Sequence, residues 1–103
     1  MEIEEIEGKD AITAVENGSI FIDVREAYEI DEIAYDIDQL NIPLGDIKDR
    51  IGEIPQNKEV IIACRSGARS MNACRFLAAN GYTSVKNLYG GIIEWTENDY
   101  PTK

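Results

Sequence analysis

Residues 60–70, VIIACRSGARS, join a run of apolar residues to a cysteine, a glycine and two arginines. The apolar run is typical of a short strand buried on both faces of a sheet, so residues 59–64 are predicted to be a strand. The residues after it are small enough for a tight turn into a helix, which is predicted over residues 69–80 and ends at Gly81. This stretch raises the question of whether Cys64 is a core filler or a nucleophile.

The rest of the chain alternates between short apolar runs and segments of helical character. Strands are predicted at residues 3–6, 19–24, 39–43 and 85–88, and helices at residues 10–15, 25–33, 45–54 and 91–97. This alternation implies parallel strands, and therefore an α/β fold with a central parallel sheet of about five short strands and helices on both faces. Ligands gather at the carboxyl ends of such strands, which here carry Cys64, Asp23 and Arg25.

Length and charge limit the classes of function. The chain has 103 residues and a formal net charge of −10. We expect residues 1–103 to form one domain with one core. The negative charge argues against nucleic acid as a partner. No apolar run reaches the roughly 20 residues that cross a bilayer, and the acidic start does not match a secretory signal, so we expect a cytoplasmic protein that binds no membrane.

The charges are distributed unevenly along the chain. Residues 1–38 hold 13 of the 20 acidic residues, whereas residues 60–93 contain no acid and four bases, namely Arg65, Arg69, Arg75 and Lys86. Cys64 therefore lies in a locally basic segment of an acidic chain. The acids are interpreted as a solvated face, with a docking surface as the alternative.

The turn after Cys64 is expected to activate its thiol. A tight strand-to-helix turn points backbone N–H groups inward, and the helix adds its positive dipole end. Together with the guanidinium groups of Arg65 and Arg69, these donors should lower the pKa of Cys64 and stabilise an oxyanion or a terminal persulfide anion on its sulfur. A filler cysteine would not account for the glycine turn, the arginines or the absence of acids, so Cys64 is predicted to be a nucleophile.

Cys74 is interpreted as a core residue of the helix that follows. It shares a stripe at helical spacing with Met71 and Leu77. A disulfide between Cys64 and Cys74 would strain its geometry because the helix rises between them. The chain has no histidine and no CxxC pair. We therefore expect no metal and no cofactor, and activation of Cys64 by its loop instead of a general base.

Five motifs in order resemble a single-domain rhodanese-like sulfurtransferase over nearly the whole chain. They are FIDVRE (21–26), NIPL (41–44), CRSGARS (64–70), LAANGY (77–82) and VKNLYGGIIEW (85–95). The resemblance implies a cysteine that accepts a sulfane sulfur as a persulfide and passes it to a thiophilic acceptor. It implies catalysis by Cys64, support from Asp23 and Arg25, and donor binding by the loop residues Arg65, Ser66, Gly67, Ala68, Arg69 and Ser70.

One segment departs from the pattern of this family. Many members carry a Gly-His-Ile stretch before the NIP motif, whereas residues 33–40 read IAYDIDQL. This variant is similar to the rhodanese domains appended to activating enzymes of ubiquitin-like sulfur carriers. The similarity implies a sulfur-carrier protein as acceptor, and a donor that is either thiosulfate or a persulfidated protein.

Two other functions stay open. A phosphatase or arsenate reductase uses a related loop with one more residue between cysteine and arginine than the four that separate Cys64 from Arg69, and Ser70 holds the next position. A non-catalytic binding module would keep the fold and predicts a damaged loop, whereas this loop is intact.

Overall fold

The computed structural model describes residues 2–103. Its strands and helices follow each other as β1 Glu4–Ile6, α1 Gly8–Glu16, β2 Ile20–Asp23, α2 Ala27–Glu32, β3 Leu40–Asn41, the 3-10 turns Leu44–Asp46 and Ile51–Glu53, β4 Val60–Ala63, α3 Ala68–Ala79, β5 Val85–Leu88 and α4 Gly91–Glu97. Over residues 2–103 the five strands form one parallel sheet in the order β1-β5-β4-β2-β3. The predicted α/β fold is confirmed. None of the helices described is long and apolar enough to cross a membrane.

The central strand β4 shows why the sheet is covered on both faces. All four of its residues are buried. Val60 and Ile62 pack into one core cluster with Leu77 of α3, whereas Ile61 packs into the other cluster with Trp95 of α4. Because neighbouring side chains of a strand point to opposite faces, a strand buried on both sides needs an unbroken apolar run.

The prediction of one α-helix over residues 45–54 is wrong. The chain forms two 3-10 turns there, Leu44–Asp46 and Ile51–Glu53. Ile47 and Ile54 are buried, so the segment presents an apolar face at helical spacing without being a continuous α-helix. Two glycines within the segment lower its helix propensity, which favours the short, tighter turns. The other predicted elements are present, with bounds shifted by up to two residues.

Two charged strand ends are brought together by the register of the sheet. Asp23 of β2 is paired with Ala63 of β4, and the two strands are parallel. Cys64 follows β4 directly, so it lies at the same edge of the sheet as Asp23 and Arg25. The fold therefore assembles the three predicted strand-end residues in one place.

Candidate active site

The loop of residues 64–67, between β4 and α3, surrounds the sulfur of Cys64. The Gly67 N–H donates to Sγ at 3.1 Å, the Ser70 N–H donates at 3.4 Å, and the Ser70 hydroxyl lies 3.2 Å from Sγ. Gly67 has a φ of 107°, in the left-handed region that favours glycine. Cys64 is 1% exposed. Its sulfur therefore lies at the base of a turn lined with hydrogen-bond donors.

These donors set the acidity of the thiol. Burial of Cys64 opposes its ionisation, but hydrogen bonds from the Ser70 hydroxyl and from the backbone N–H groups of Ser70, Gly67 and Ser66 lower its pKa below the usual value. A thiolate accepts these bonds more strongly than a thiol does. The loop thus favours the nucleophilic form of the sulfur without a histidine.

The two arginines that follow Cys64, Arg65 in the loop and Arg69 in the first turn of α3, have different environments. Arg69 donates two hydrogen bonds, of 2.7 and 2.9 Å, to the carboxylate of Glu29 in α2, so its charge is balanced. Arg65 is exposed and has no ion pair among residues 2–103. The sequence predicts that both guanidinium groups activate Cys64. The loop hydrogen bonds are instead the largest influences that lower its pKa.

Sequence reasoning missed Asn87 of β5, which holds the loop from the neighbouring strand. Asn87 is 1% exposed, its Nδ2 donates to the Gly67 carbonyl at 3.0 Å, and its Oδ1 accepts from the Ser70 hydroxyl. The Ser70 hydroxyl has one proton and two neighbouring acceptors, Asn87 Oδ1 and Cys64 Sγ, so its proton can turn to the sulfur when the thiolate forms. The available signal was an amide side chain in the second half of a short strand, next to the apolar Leu88.

Asp23 and Arg25 form a buried ion pair at the end of β2. The Arg25 Nη2 lies 2.9 Å from the Asp23 Oδ2, and the two side chains are 2% and 0% exposed. Arg25 also donates to the carbonyl oxygens of Glu29 and Ile33 at 3.4 and 3.0 Å, which ties the middle and the C-cap of α2 to the sheet. Glu29 of α2 also binds Arg69, so the Asp23–Arg25 ion pair stabilises the position of the helix that contacts Arg69. A supporting role for Asp23 and Arg25 stays a prediction.

The turn between β5 and α4 lies directly against the loop. The Ile93 N–H donates to the Arg65 carbonyl at 3.2 Å. A Cβ atom on Gly91 would lie 2.3 Å from the Arg65 oxygen, so this close approach requires glycine. Six residues were expected to bind the sulfur donor. Of these, Gly67 and Ser70 contact the Cys64 sulfur and Arg69 is paired with Glu29. The other three, Arg65, Ser66 and Ala68, are exposed.

The chain is similar to known proteins over most of its length. The sequence model of the family described as Rhodanese-like domain matches residues 7–98. A protein named Sulfurtransferase from Allochromatium vinosum is 43% identical over 82 residues, which are 80% of this chain and 76% of the relative. The crystal structure of a rhodanese-related protein from Thermoplasma volcanium has a TM-score of 0.87 and 26% identity, and the match covers 97% of each chain.

A much longer relative is similar at lower identity. Adenylyltransferase and sulfurtransferase MOCS3 of Arabidopsis thaliana is 28% identical over 98 residues, and the match covers 80% of this chain and 21% of that protein. The chain is therefore similar to a protein of comparable length and also to one part of a much longer protein.

Proposed function

The chain belongs to the rhodanese-like domain family, and on this premise we propose that it is a sulfurtransferase whose Cys64 carries the transferred sulfur as a persulfide. The observation that supports this most is the position of the Cys64 sulfur, which lies 3.1 to 3.4 Å from the N–H groups of Gly67 and Ser70 and from the Ser70 hydroxyl. Donors fixed in this way stabilise negative charge on sulfur without reorganisation during the reaction.

In the first half-reaction the Cys64 thiolate attacks the outer sulfur of thiosulfate. A new S–S bond forms to Cys64, the S–S bond of thiosulfate breaks, and sulfite leaves with the electron pair of that bond. The product is a Cys64 persulfide anion, so no proton is gained or lost overall. The exposed guanidinium of Arg65 attracts a doubly charged donor to the loop.

In the second half-reaction a thiophilic acceptor attacks the terminal sulfur of the persulfide. The S–S bond to Cys64 breaks, and its electron pair returns to Sγ as the thiolate. With cyanide the product is thiocyanate, and with a protein thiolate it is a persulfide on that protein. The donors around Cys64 stabilise the leaving thiolate, as they stabilised the attacking one.

A sulfur-carrier protein is the acceptor that we propose for this chain, with a persulfidated protein as an alternative donor to thiosulfate. Three large apolar side chains are exposed on the elements that flank the loop, namely Tyr28 at 66%, Tyr89 at 51% and Ile93 at 40%. Apolar and aromatic side chains of this kind are common at the centre of protein interfaces. Free cysteines at positions 64 and 74 suit a reducing compartment, which supports a cytoplasmic location.

Steady-state transfer from thiosulfate to cyanide, followed as thiocyanate, tests the proposed activity. We expect turnover by the wild-type protein, none above background by the Cys64→Ser variant, and nearly unchanged turnover by the Cys74→Ala variant. Burial raises the pKa of Cys74 to about 12, so this second thiol is the matched control. A Cys64→Ser protein that forms thiocyanate as fast as a turning-over wild-type protein would refute the proposal.

Phosphate ester hydrolysis is the competing reaction of a cysteine in such a loop. Arg69 is already bound in both positions of its guanidinium fork by Glu29, which leaves it poorly placed to hold a phosphate. We expect no Cys64-dependent release of phosphate from an aryl phosphate. Such release would favour the hypothesis that the protein is a phosphatase over the hypothesis that it transfers sulfur.

A further inference from the structure

Tyr35 lies between α2 and β3 and is 0% exposed. Its ring packs edge-on against Phe21 and Trp95, with ring centroids 5.1 and 5.0 Å away, and the Arg25 guanidinium carbon lies 5.4 Å from its centroid. Its hydroxyl donates to the carbonyl oxygen of Cys64 at 2.6 Å. The tyrosine therefore reaches from the core to the first peptide of the loop that surrounds the sulfur.

The backbone beside Tyr35 is held by the last residues of the chain. Ala34 and Lys103 exchange two hydrogen bonds, of 2.8 and 2.9 Å. The Pro101 carbonyl accepts the Nε1–H of Trp95 at 2.7 Å, which fixes one of the rings against which Tyr35 packs. Both the backbone and the ring of Tyr35 are thus constrained, so its hydroxyl is directed at one acceptor.

The Cys64 carbonyl oxygen accepts a second hydrogen bond, from the Ile92 N–H at 3.0 Å. With Tyr35 and Ile92 in place, both lone pairs of this oxygen are used. Because the peptide group is planar, fixing the carbonyl also fixes the direction of the next N–H, where the loop begins. The two bonds also withdraw negative charge from the carbonyl oxygen of the same residue that carries the thiolate.

The hydroxyl of Tyr35 is protonated at neutral pH and therefore acts as a hydrogen-bond donor. Burial is the largest cause that raises the pKa of Tyr35, and the negative charges of Asp23 and Cys64 raise it further. The phenol therefore keeps its proton. Its short contact with Cys64 is a hydrogen bond from the phenol to the carbonyl.

We propose that Tyr35 is a positioning residue for Cys64, whose hydroxyl holds the Cys64 carbonyl so that the loop N–H groups face the sulfur. The proposal rests on the proposed function only in its last step, because the loop must favour the thiolate before any sulfur is transferred. Tyr35 belongs to residues 33–40, the segment that departs from the Gly-His-Ile pattern, so the contact is supplied by this variant segment itself.

The pH dependence of Cys64 alkylation by iodoacetamide, read by peptide mass, tests this positioning role. The variant is Tyr35→Phe, which keeps the ring. The matched control is Tyr82→Phe, since Tyr82 is 5% exposed and its hydroxyl donates to the Ile54 carbonyl at 2.6 Å, outside the loop. We expect both variants to lower the thermal midpoint similarly. Only Tyr35→Phe should move the alkylation midpoint to higher pH and slow alkylation at neutral pH by about threefold to tenfold.

A Tyr35→Phe profile that overlays the wild-type profile, or that shifts no more than that of Tyr82→Phe, would overturn the proposal. Amide hydrogen exchange at residues 65–70 gives a second measurement, and it should be faster in Tyr35→Phe and unchanged in Tyr82→Phe. Alkylation requires no sulfur donor, so the two proposals fail separately. A wild-type protein that takes up no sulfur would end the proposed function, whereas a shifted Tyr35→Phe profile would still support the positioning role.

Discussion

The side-chain amide of Asn87 donates to the carbonyl oxygen of Gly67 at 3.0 Å, across 20 residues of sequence. This bond ties β5 to the left-handed residue at which the loop turns into α3. Since the Gly67 N–H in turn donates to the Cys64 sulfur at 3.1 Å, Gly67 links the amide of Asn87 to that sulfur.

Replacing Asn87 should loosen the loop and slow sulfur uptake. Asn87→Ala removes the part-buried donor to Gly67 and the buried acceptor of the Ser70 hydroxyl, so we expect a loss of about 1 to 3 kcal/mol in the free energy of unfolding. Urea unfolding measures this loss. The control is Asn80→Ala, because Asn80 is exposed and bonds only the Phe76 carbonyl, and it should cost clearly less. Equal losses in the two variants would contradict the assigned role of Asn87.

Removing the Ser70 hydroxyl should raise the pKa of Cys64. Its hydrogen bond is the largest of the influences that lower this pKa, while the backbone N–H of residue 70 is retained in Ser70→Ala. We expect alkylation of Cys64 at neutral pH to slow by about threefold to tenfold. Ser66→Ala is the control, because Ser66 contributes through its backbone N–H, which alanine keeps. If Cys64 in the Ser70→Ala protein were as acidic as in the wild type, the Ser70 hydroxyl would not be what lowers its pKa.

The Glu29–Arg69 pair should make stability depend on acid pH. The hydrogen bonds from Arg69 are the largest cause that lowers the pKa of Glu29 to about 2, from an ordinary value of 4.5. A lowered carboxyl pKa stabilises the fold fully above the ordinary value, and this stabilisation is lost as the pH falls toward about 2. The free energy of unfolding of the wild-type protein should therefore exceed that of Glu29→Gln by about 1 to 2 kcal/mol at neutral pH. This figure allows for solvent screening of the half-buried Arg69.

Urea unfolding at neutral pH and near pH 3 measures the difference between the wild type and Glu29→Gln. We expect the difference to shrink at the lower pH. Glu53→Gln is the control, since it breaks the exposed pair of Glu53 with Arg50 and should have a much smaller effect at neutral pH. A difference between the wild type and Glu29→Gln that is constant with pH would show that the ion pair is not its source.

Gly91 should tolerate no side chain. A Cβ there would lie 2.3 Å from the Arg65 oxygen and 2.6 Å from the Cys64 oxygen, and the residue has a φ of 58°. Since both obstacles are backbone atoms of the loop, we expect Gly91→Ala to cost about 2 to 4 kcal/mol of stability. Gly52→Ala is the control, because nothing lies within 4 Å of its Cβ position. A Gly91→Ala protein as stable as Gly52→Ala would contradict the close packing described.

The sequence predicted the elements whose signal is local and missed the contacts that join distant segments. The apolar run before Cys64 identifies β4, because a strand buried on both faces needs one. The role of Asn87 depends on parallel pairing that brings β5 beside the loop, and the bond from Tyr35 to Cys64 crosses 29 residues. The pairing of Arg69 with Glu29, across 40 residues, likewise has no local signal, so the arginine was expected to face the sulfur.

The intact mass of the protein after incubation with thiosulfate and removal of the excess tests the persulfide on Cys64 most directly. Wild-type and Cys74→Ala proteins should each gain the mass of one sulfur atom, which a reducing thiol then removes. The Cys64→Ser protein should gain none. A wild-type protein that gains no sulfur, or a Cys64→Ser protein that gains one, would contradict the assignment of Cys64 as the sulfur carrier.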